Sequence, residues 1–224
     1  DVGPGDKSGA PVVVYSRCAT AARCDVYRFG PATGIETRIT AVSKAASSET
    51  APSYYKGAVL FARTGGGARG TYLYRPGKGT RLIDGKVAVA TDLGDTYAAM
   101  LVRSGSQSFL RFSTFGGKVK TIAQDMSTDA GGGVFGPPSI TRYYVYWRVN
   151  DPIGERSSIE RIGIRRYAGR GVLQRSSRTL PPGLDLAAAQ TPSGSFAWFD
   201  PDAITASPAL STDLVSSSPP IGFS

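Results

Sequence analysis

Ala51-Pro52-Ser53-Tyr54-Tyr55-Lys56-Gly57-Ala58-Val59-Leu60-Phe61-Ala62, then Gly70-Thr71-Tyr72-Leu73-Tyr74-Arg75, then Thr80-Arg81-Leu82-Ile83, decides the fold. Four strand-length runs follow one another, separated by Lys56-Gly57, Gly65-Gly66-Gly67 and Pro76-Gly77-Lys78-Gly79. Gly and Pro at such intervals suit tight turns between short strands and leave no room for long helices. Hydrophobicity falls from the second run to the fourth, as a sheet with a buried inner side and a wet outer edge requires.

The pattern recurs outward in both directions. Apolar runs stand at Val12–Tyr15, Ala58–Phe61, Ala99–Val102, Tyr143–Trp147 and Ser195–Phe199, and the markers Val13, Leu60, Met100, Val145 and Ala197 are spaced 47, 40, 45 and 52 residues apart. Propeller blades repeat at about 40–50 residues. A second run follows each of the first four: Asp25–Phe29, Thr71–Arg75, Ser108–Phe112 and Ile159–Ile164. A more polar third run closes each: Glu36–Thr40, Thr80–Ile83, Lys118–Ile122 and Gly171–Gln174. First strands are expected at Ala51–Tyr55, Gly85–Ala90, Pro137–Ile140 and Leu184–Ala189, and the first repeat has no evident one.

The stretch from Ala51 to Leu82 resembles the repeat of TolB-type propellers: a Pro-Ser-aromatic strand, a Gly turn, an apolar strand ending in Phe, a Tyr-containing strand and a closing Leu. Asp25-Val26-Tyr27 with Arg38-Ile39-Thr40 resembles it in the first repeat, and Pro137-Pro138-Ser139-Ile140 opens the fourth in the same way. Where that family carries Ser-Pro-Asp-Gly, this chain has Tyr54-Tyr55-Lys56-Gly57. The resemblance implies an all-β propeller of four-stranded blades; the repeats along the chain number five, with six, counting a degenerate blade in the tail, as the alternative. It implies an architecture and no activity, because such folds host many functions. The expected layout is an N-terminal extension over residues 1–11, propeller repeats over 12–206, and a Ser/Pro-rich segment over 207–224 in which one chain end completes the ring.

The 224 residues carry 26 Lys and Arg against 17 Asp and Glu, a formal charge of +9, with no histidine. The absence of His removes Ser-His-Asp triads and His-ligated metal sites. Nineteen of the basic residues are Arg, whose planar fork matches carboxylate, phosphate and sulfate groups. A basic balance favours an anionic partner, and without a nucleic-acid-binding signature a polysaccharide is preferred to nucleic acid. Cys18 and Cys24 flank a hairpin loop and read as a disulfide, two free thiols being the alternative. A disulfide places the protein outside the cytoplasm, secreted or extracytoplasmic; a monomer is expected. No run is long enough to span a membrane, and no cofactor or metal is expected.

Asp92 with Asp95, Asp151 with Glu155, and Asp200 with Asp202 are the carboxylate pairs that hydrolytic chemistry would need, and a glycan-active hydrolase is the alternative function. Each pair falls in a turn, where Asp caps backbone amides, so no catalytic residue is assigned. The leading expectation is a non-catalytic binding or scaffold module for a protein or an anionic polymer. Its candidate site is a partial ring of cations at the ends of the apolar runs, Arg17, Arg63, Arg103 and Arg148, with Asp200 in the fifth place. The competing reading has each Arg stem covering an aromatic ring and its head group satisfying loop carbonyls. The Arg161–Arg178 cluster reads as a solvated blade edge.

Overall fold

The structure, a computed structural model, describes residues 2–4, 10–20, 22–125, 135–140, 144–151, 156–164, 176–180, 185–190 and 196–199. The chain divides into two compact units, 1–133 and 134–224, each described by itself.

The first unit holds three four-stranded antiparallel sheets, each a meander in chain order. Blade one is β1 (Val2–Pro4), β2 (Pro11–Thr20), β3 (Arg23–Gly30) and β4 (Ile35–Arg38). Blade two is β5 (Ser47–Tyr55), β6 (Ala58–Gly65), β7 (Gly70–Arg75) and β8 (Gly79–Asp84). Blade three is β9 (Ala88–Leu93), β10 (Tyr97–Ser104), β11 (Gln107–Thr114) and β12 (Lys120–Asp125). The second unit holds a fourth such sheet, β13 (Ser139–Ile140), β14 (Tyr144–Asp151), β15 (Arg156–Gly163) and β16 (Ser176–Leu180), and a pair, β17 (Asp185–Gln190) with β18 (Phe196–Phe199). The fold is all-β and propeller-like, built of four-stranded blades.

The continuous apolar run of β6 has a simple cause. Successive side chains on a strand point to opposite faces. Val59 and Phe61 pack with Val14 and Val26 of blade one and Val42 of the connection. Ala58 and Leu60 pack with Leu73 and with Ala88, Leu93, Ala98 and Met100 of blade three. A strand covered on both faces cannot alternate apolar with polar. The outer strands β4 and β8 are mostly exposed and are correspondingly polar.

Hydroxyl groups stitch neighbouring blades at fixed points. Ser48 Oγ accepts from the Cys24 amide and Ser43 Oγ from the Val26 amide, each at 3.0 Å. Thr71 Oγ1 donates to the Lys86 carbonyl at 2.8 Å and accepts from the Ala88 amide at 3.1 Å. Thr91 Oγ1 donates to the Ala51 carbonyl at 2.6 Å, tying β9 to β5. Ala51 has φ 48 and lies in a bulge of β5, and β9 also shifts register, opposite Leu101 and Val102.

Three elements differ from the sequence reading. Blade one does have an inner strand, β1, which pairs Val2 with Val13 and Pro4 with Pro11. Three residues are too few to show a period, and they lie within the stretch read as an extension. The outer strand of blade four is Ser176–Leu180; it is Ser- and Arg-rich, so a hydrophobicity argument passes over it, and Gly171–Gln174 lies outside the described residues. In blade three the inner strand sits three residues later in the sequence than Gly85–Ala90, at Ala88–Leu93. Residues 200–224, including the tail expected to close the ring, lie outside the described residues.

Candidate functional site

The four expected cations occupy different surroundings. In blade one, Arg17 on β2 lies on the face of Tyr15 and Tyr27; its guanidinium is 4.6 Å from the centroid of the Tyr27 ring and pairs with Glu36. The Tyr15 hydroxyl donates to the same carboxylate, and that bond, with partial desolvation, raises the Tyr15 pKa. Arg63 on β6 is buried at 2% exposure and meets Glu49 at 0%, with Nε 2.8 Å from Oε1. Its other arm donates to the Val42 carbonyl at 2.6 Å, and its plane lies 5.0 Å from both the Phe61 and Tyr72 rings. Arg63 therefore ties β5, β6 and the connection from blade one, its guanidinium lying over two aromatic rings and bonded to a loop carbonyl. Arg103 on β10 is exposed and is not a partner of Glu36, Asp25, Glu49 or Asp84. Arg148 on β14 belongs to the second unit, half-buried, its carbonyl accepting from Gly136. Asp200 lies outside the described residues.

The carboxylates of the first unit are largely committed to holding strands together. Asp25 accepts from Arg38 at 2.8 Å. Asp84, 6% exposed on its side chain, receives both arms of Arg111 from blade three and caps the Lys86 amide at 3.0 Å. Asp92 lies on β9 and not in a turn as expected, accepting from the Leu93 amide at 2.8 Å, while Asp95 is exposed in the β9–β10 connection; Asp151, also expected in a turn, is the last residue of β14. Of the other pairs, Glu155, Asp200 and Asp202 lie outside the described residues. Among the described residues no group of three or more Cys, Asp or Glu is placed to hold a metal ion. Of the Arg161–Arg178 cluster, the Arg161 side chain is described, stacked 4.5 Å from the Tyr144 ring centroid.

Cys18 and Cys24 are disulfide-bonded and directly cross-paired on β2 and β3, so the bond closes the hairpin between them.

Sequence reasoning missed a cleft. Between blades one and two lies a cavity of about 680 Å³ lined by Arg28, Thr37, Tyr54, Lys56, Tyr74 and Pro76, among others, with no Asp or Glu. It forms where the outer strands of blade one diverge from the hairpin turns of blade two. Arg28 and Thr37 are cross-strand partners on β3 and β4, while Lys56 and Pro76 sit in the β5–β6 and β7–β8 turns. The one sequence signal was the Lys in a turn where Asp is usual.

No family model matches this chain, and no curated protein sequence matches it. Among solved structures, TolB from Acinetobacter baumannii is similar with a TM-score of 0.50 and 16% identity, over 72% of this chain and 40% of that one. A chain from a structural and mechanistic analysis of two prolyl endopeptidases is similar with a TM-score of 0.52 and 11% identity, over 86% of this chain and 29% of that one. This chain thus spans less than half the length of either. At such identities the likeness is one of fold. No helix among the described residues is long and apolar enough to cross a membrane.

Proposed function

We propose that this chain is a non-catalytic β-propeller module that binds an anionic partner, a polymer or an acidic protein surface, outside the cytoplasm. The observation that carries the proposal is where the charge goes. Glu36, Asp25, Glu49 and Asp84 are each bound to a strand-borne arginine that links strands or blades. The +9 surplus then falls on solvent-facing cations such as Arg23, Arg28, Arg69, Arg81 and Arg103, which those four acids do not neutralise. Fixed cations on a rigid surface raise the local concentration of an anionic ligand and speed its encounter. The disulfide supports an oxidising compartment.

In this reading Arg103 contributes at the end of a central strand, while Arg17 and Arg63, paired with Glu36 and Glu49, serve the scaffold. The test is chromatography on immobilised heparin, with a neutral dextran matrix as control. Retention on heparin that falls steeply with salt supports the reading. Passage through heparin unretarded at low salt overturns it.

A further inference from the structure

Resting on that reading, we infer that the cleft between blades one and two is its ligand site, and that it takes a uronic-acid unit of an acidic polysaccharide. Three observations converge on it.

The first is charge. Arg28 and Lys56 line the cleft from opposite blades, no carboxylate lines it, and neither cation is a partner of Glu36, Asp25, Glu49 or Asp84; the Lys56 ammonium rests 5.1 Å from the Tyr55 ring centroid, a contact that leaves its charge unneutralised. Arg38, the other basic lining residue, is committed to Asp25. Two lining cations with no lining acid make the cleft electropositive, which suits an anion.

The second is the backbone at Lys56. Tyr55 pairs with Ala58, so Lys56-Gly57 is a two-residue hairpin loop, with φ of 47 and 86. Loops with both central residues at positive φ favour Asn-Gly or Asp-Gly. A lysine there costs about 1 kcal/mol relative to the glycine that adopts the region freely. Gly57 fixes the loop in place: a Cβ there would stand 3.2 Å from Pro76 Cγ of the adjoining turn. A departure from local turn chemistry at the wall of a cleft marks a residue kept for another purpose.

The third is the remaining lining. Tyr74 and Pro76 offer apolar and aromatic surface over the buried Tyr54, and Thr37 and Thr40 offer hydroxyls. Aromatic faces beside hydroxyl groups and a cation match a carboxylated sugar, with its apolar C–H faces, its hydroxyls and its single charge. A volume of about 680 Å³ is that of a pocket for an organic ligand and far exceeds what an inorganic anion fills.

The experiment titrates oligogalacturonate into the wild type, Arg28→Gln/Lys56→Asn and, as a control at an exposed cation of blade three, Lys118→Gln, by calorimetry. Its methyl ester and an oligoglutamate of equal charge serve as comparison ligands. Heparin retention and melting temperature are recorded for each protein. Lys56→Asn restores the residue the loop favours, so the double variant should melt no lower than the wild type. It should bind oligogalacturonate roughly tenfold or more weakly, with Lys118→Gln unchanged and the methyl ester weak throughout. Equal affinity in the double variant, with heparin retention intact in the wild type, overturns the cleft and leaves the binding reading standing. Loss of heparin retention in the wild type removes both. Oligoglutamate binding more tightly than oligogalacturonate overturns the sugar assignment in favour of an acidic peptide. A double variant that melts lower overturns the argument from Lys56.

Discussion

Arg63 and Glu49 form a charged pair sealed inside blade two, facing each other across β6 and β5 with almost no exposure to solvent. The pair is satisfied on all sides: Glu49 also accepts from Ser47 Oγ and the Lys44 amide, and Arg63 also donates to Val42. Desolvating two charges costs several kcal/mol, which such complete bonding offsets; removing one partner strands the other.

Arg63→Ala should therefore cost about 3–5 kcal/mol in urea unfolding. Glu49→Leu with Arg63→Met should recover most of that loss, because two apolar residues of similar volume leave no buried charge. Heparin retention of the refolded double variant should match the wild type, since Arg63 does not reach solvent. A single-variant cost below about 1 kcal/mol, the range of exposed pairs, would show that water reaches this pair.

The disulfide closes a short hairpin at an exposed end of blade one. In the chain-entropy model, opening so small a loop costs roughly 2 kcal/mol. Alkylation of the native protein should leave both cysteines unmodified, and alkylation after reduction should label both. The reduced protein should unfold at lower urea with the same slope. Two labelled thiols in the native, unreduced protein would withdraw the support for an oxidising compartment.

Gly3 on β1 lies against the Tyr54 backbone, where a Cβ would fall 2.0 Å from the carbonyl oxygen. Backbone cannot yield as a flexible side chain does, so Gly3→Ala should push β1 off blade two. Amide exchange should quicken at Val12 and Val13, the residues β1 covers, while blade three keeps its protection. Uniform protection in the variant would mean that β1 is dispensable for blade one.

Burial raises the Tyr146 pKa, and the opposing hydrogen bond and charge of Arg161 do not cancel that effect. An acid whose folded pKa lies above its unfolded value contributes stability that is complete below the unfolded pKa and is lost as pH rises through the folded one. Stability of the second unit should thus decline on the alkaline side of the ordinary tyrosine range. Tyr146→Phe should flatten that decline and remove one late-titrating phenol from the tyrosinate absorbance curve. An unchanged alkaline profile would contradict the burial of this hydroxyl.

The central strands were legible in the sequence because burial on both faces erases alternation, and runs such as Ala58–Ala62 and Ala98–Val102 announce themselves. Alternation also placed Arg63 on the face of Phe61, and Arg17 on that of Tyr15. What could not be read was the partner. Glu49 sits in Ser47-Ser48-Glu49-Thr50, a polar run that looks like a loop until its pairing with β6 turns it inward. The cleft escaped for a related reason. Arg28, Lys56 and Tyr74 are ordinary strand-end and turn residues along the chain, and only the packing of one blade on the next brings them to a common space. The acids were hard to read for function because their roles are set by distant arginines, as Asp84 is by Arg111, 27 residues on.

Each blade pairs strands only in the order in which they are synthesised. Among the described residues, no strand of a four-stranded blade waits for a later blade to supply its hydrogen-bonding neighbour. A chain emerging from a ribosome can therefore complete blade one before blade two is made, then dock each new hairpin on a finished template. Local pairing of this kind shortens the loops to be closed and speeds folding, and it limits the time that apolar β6 and β10 spend uncovered. The same arrangement makes a blade a separable genetic module: a duplicated or deleted repeat changes the number of sheets without re-pairing any strand that remains.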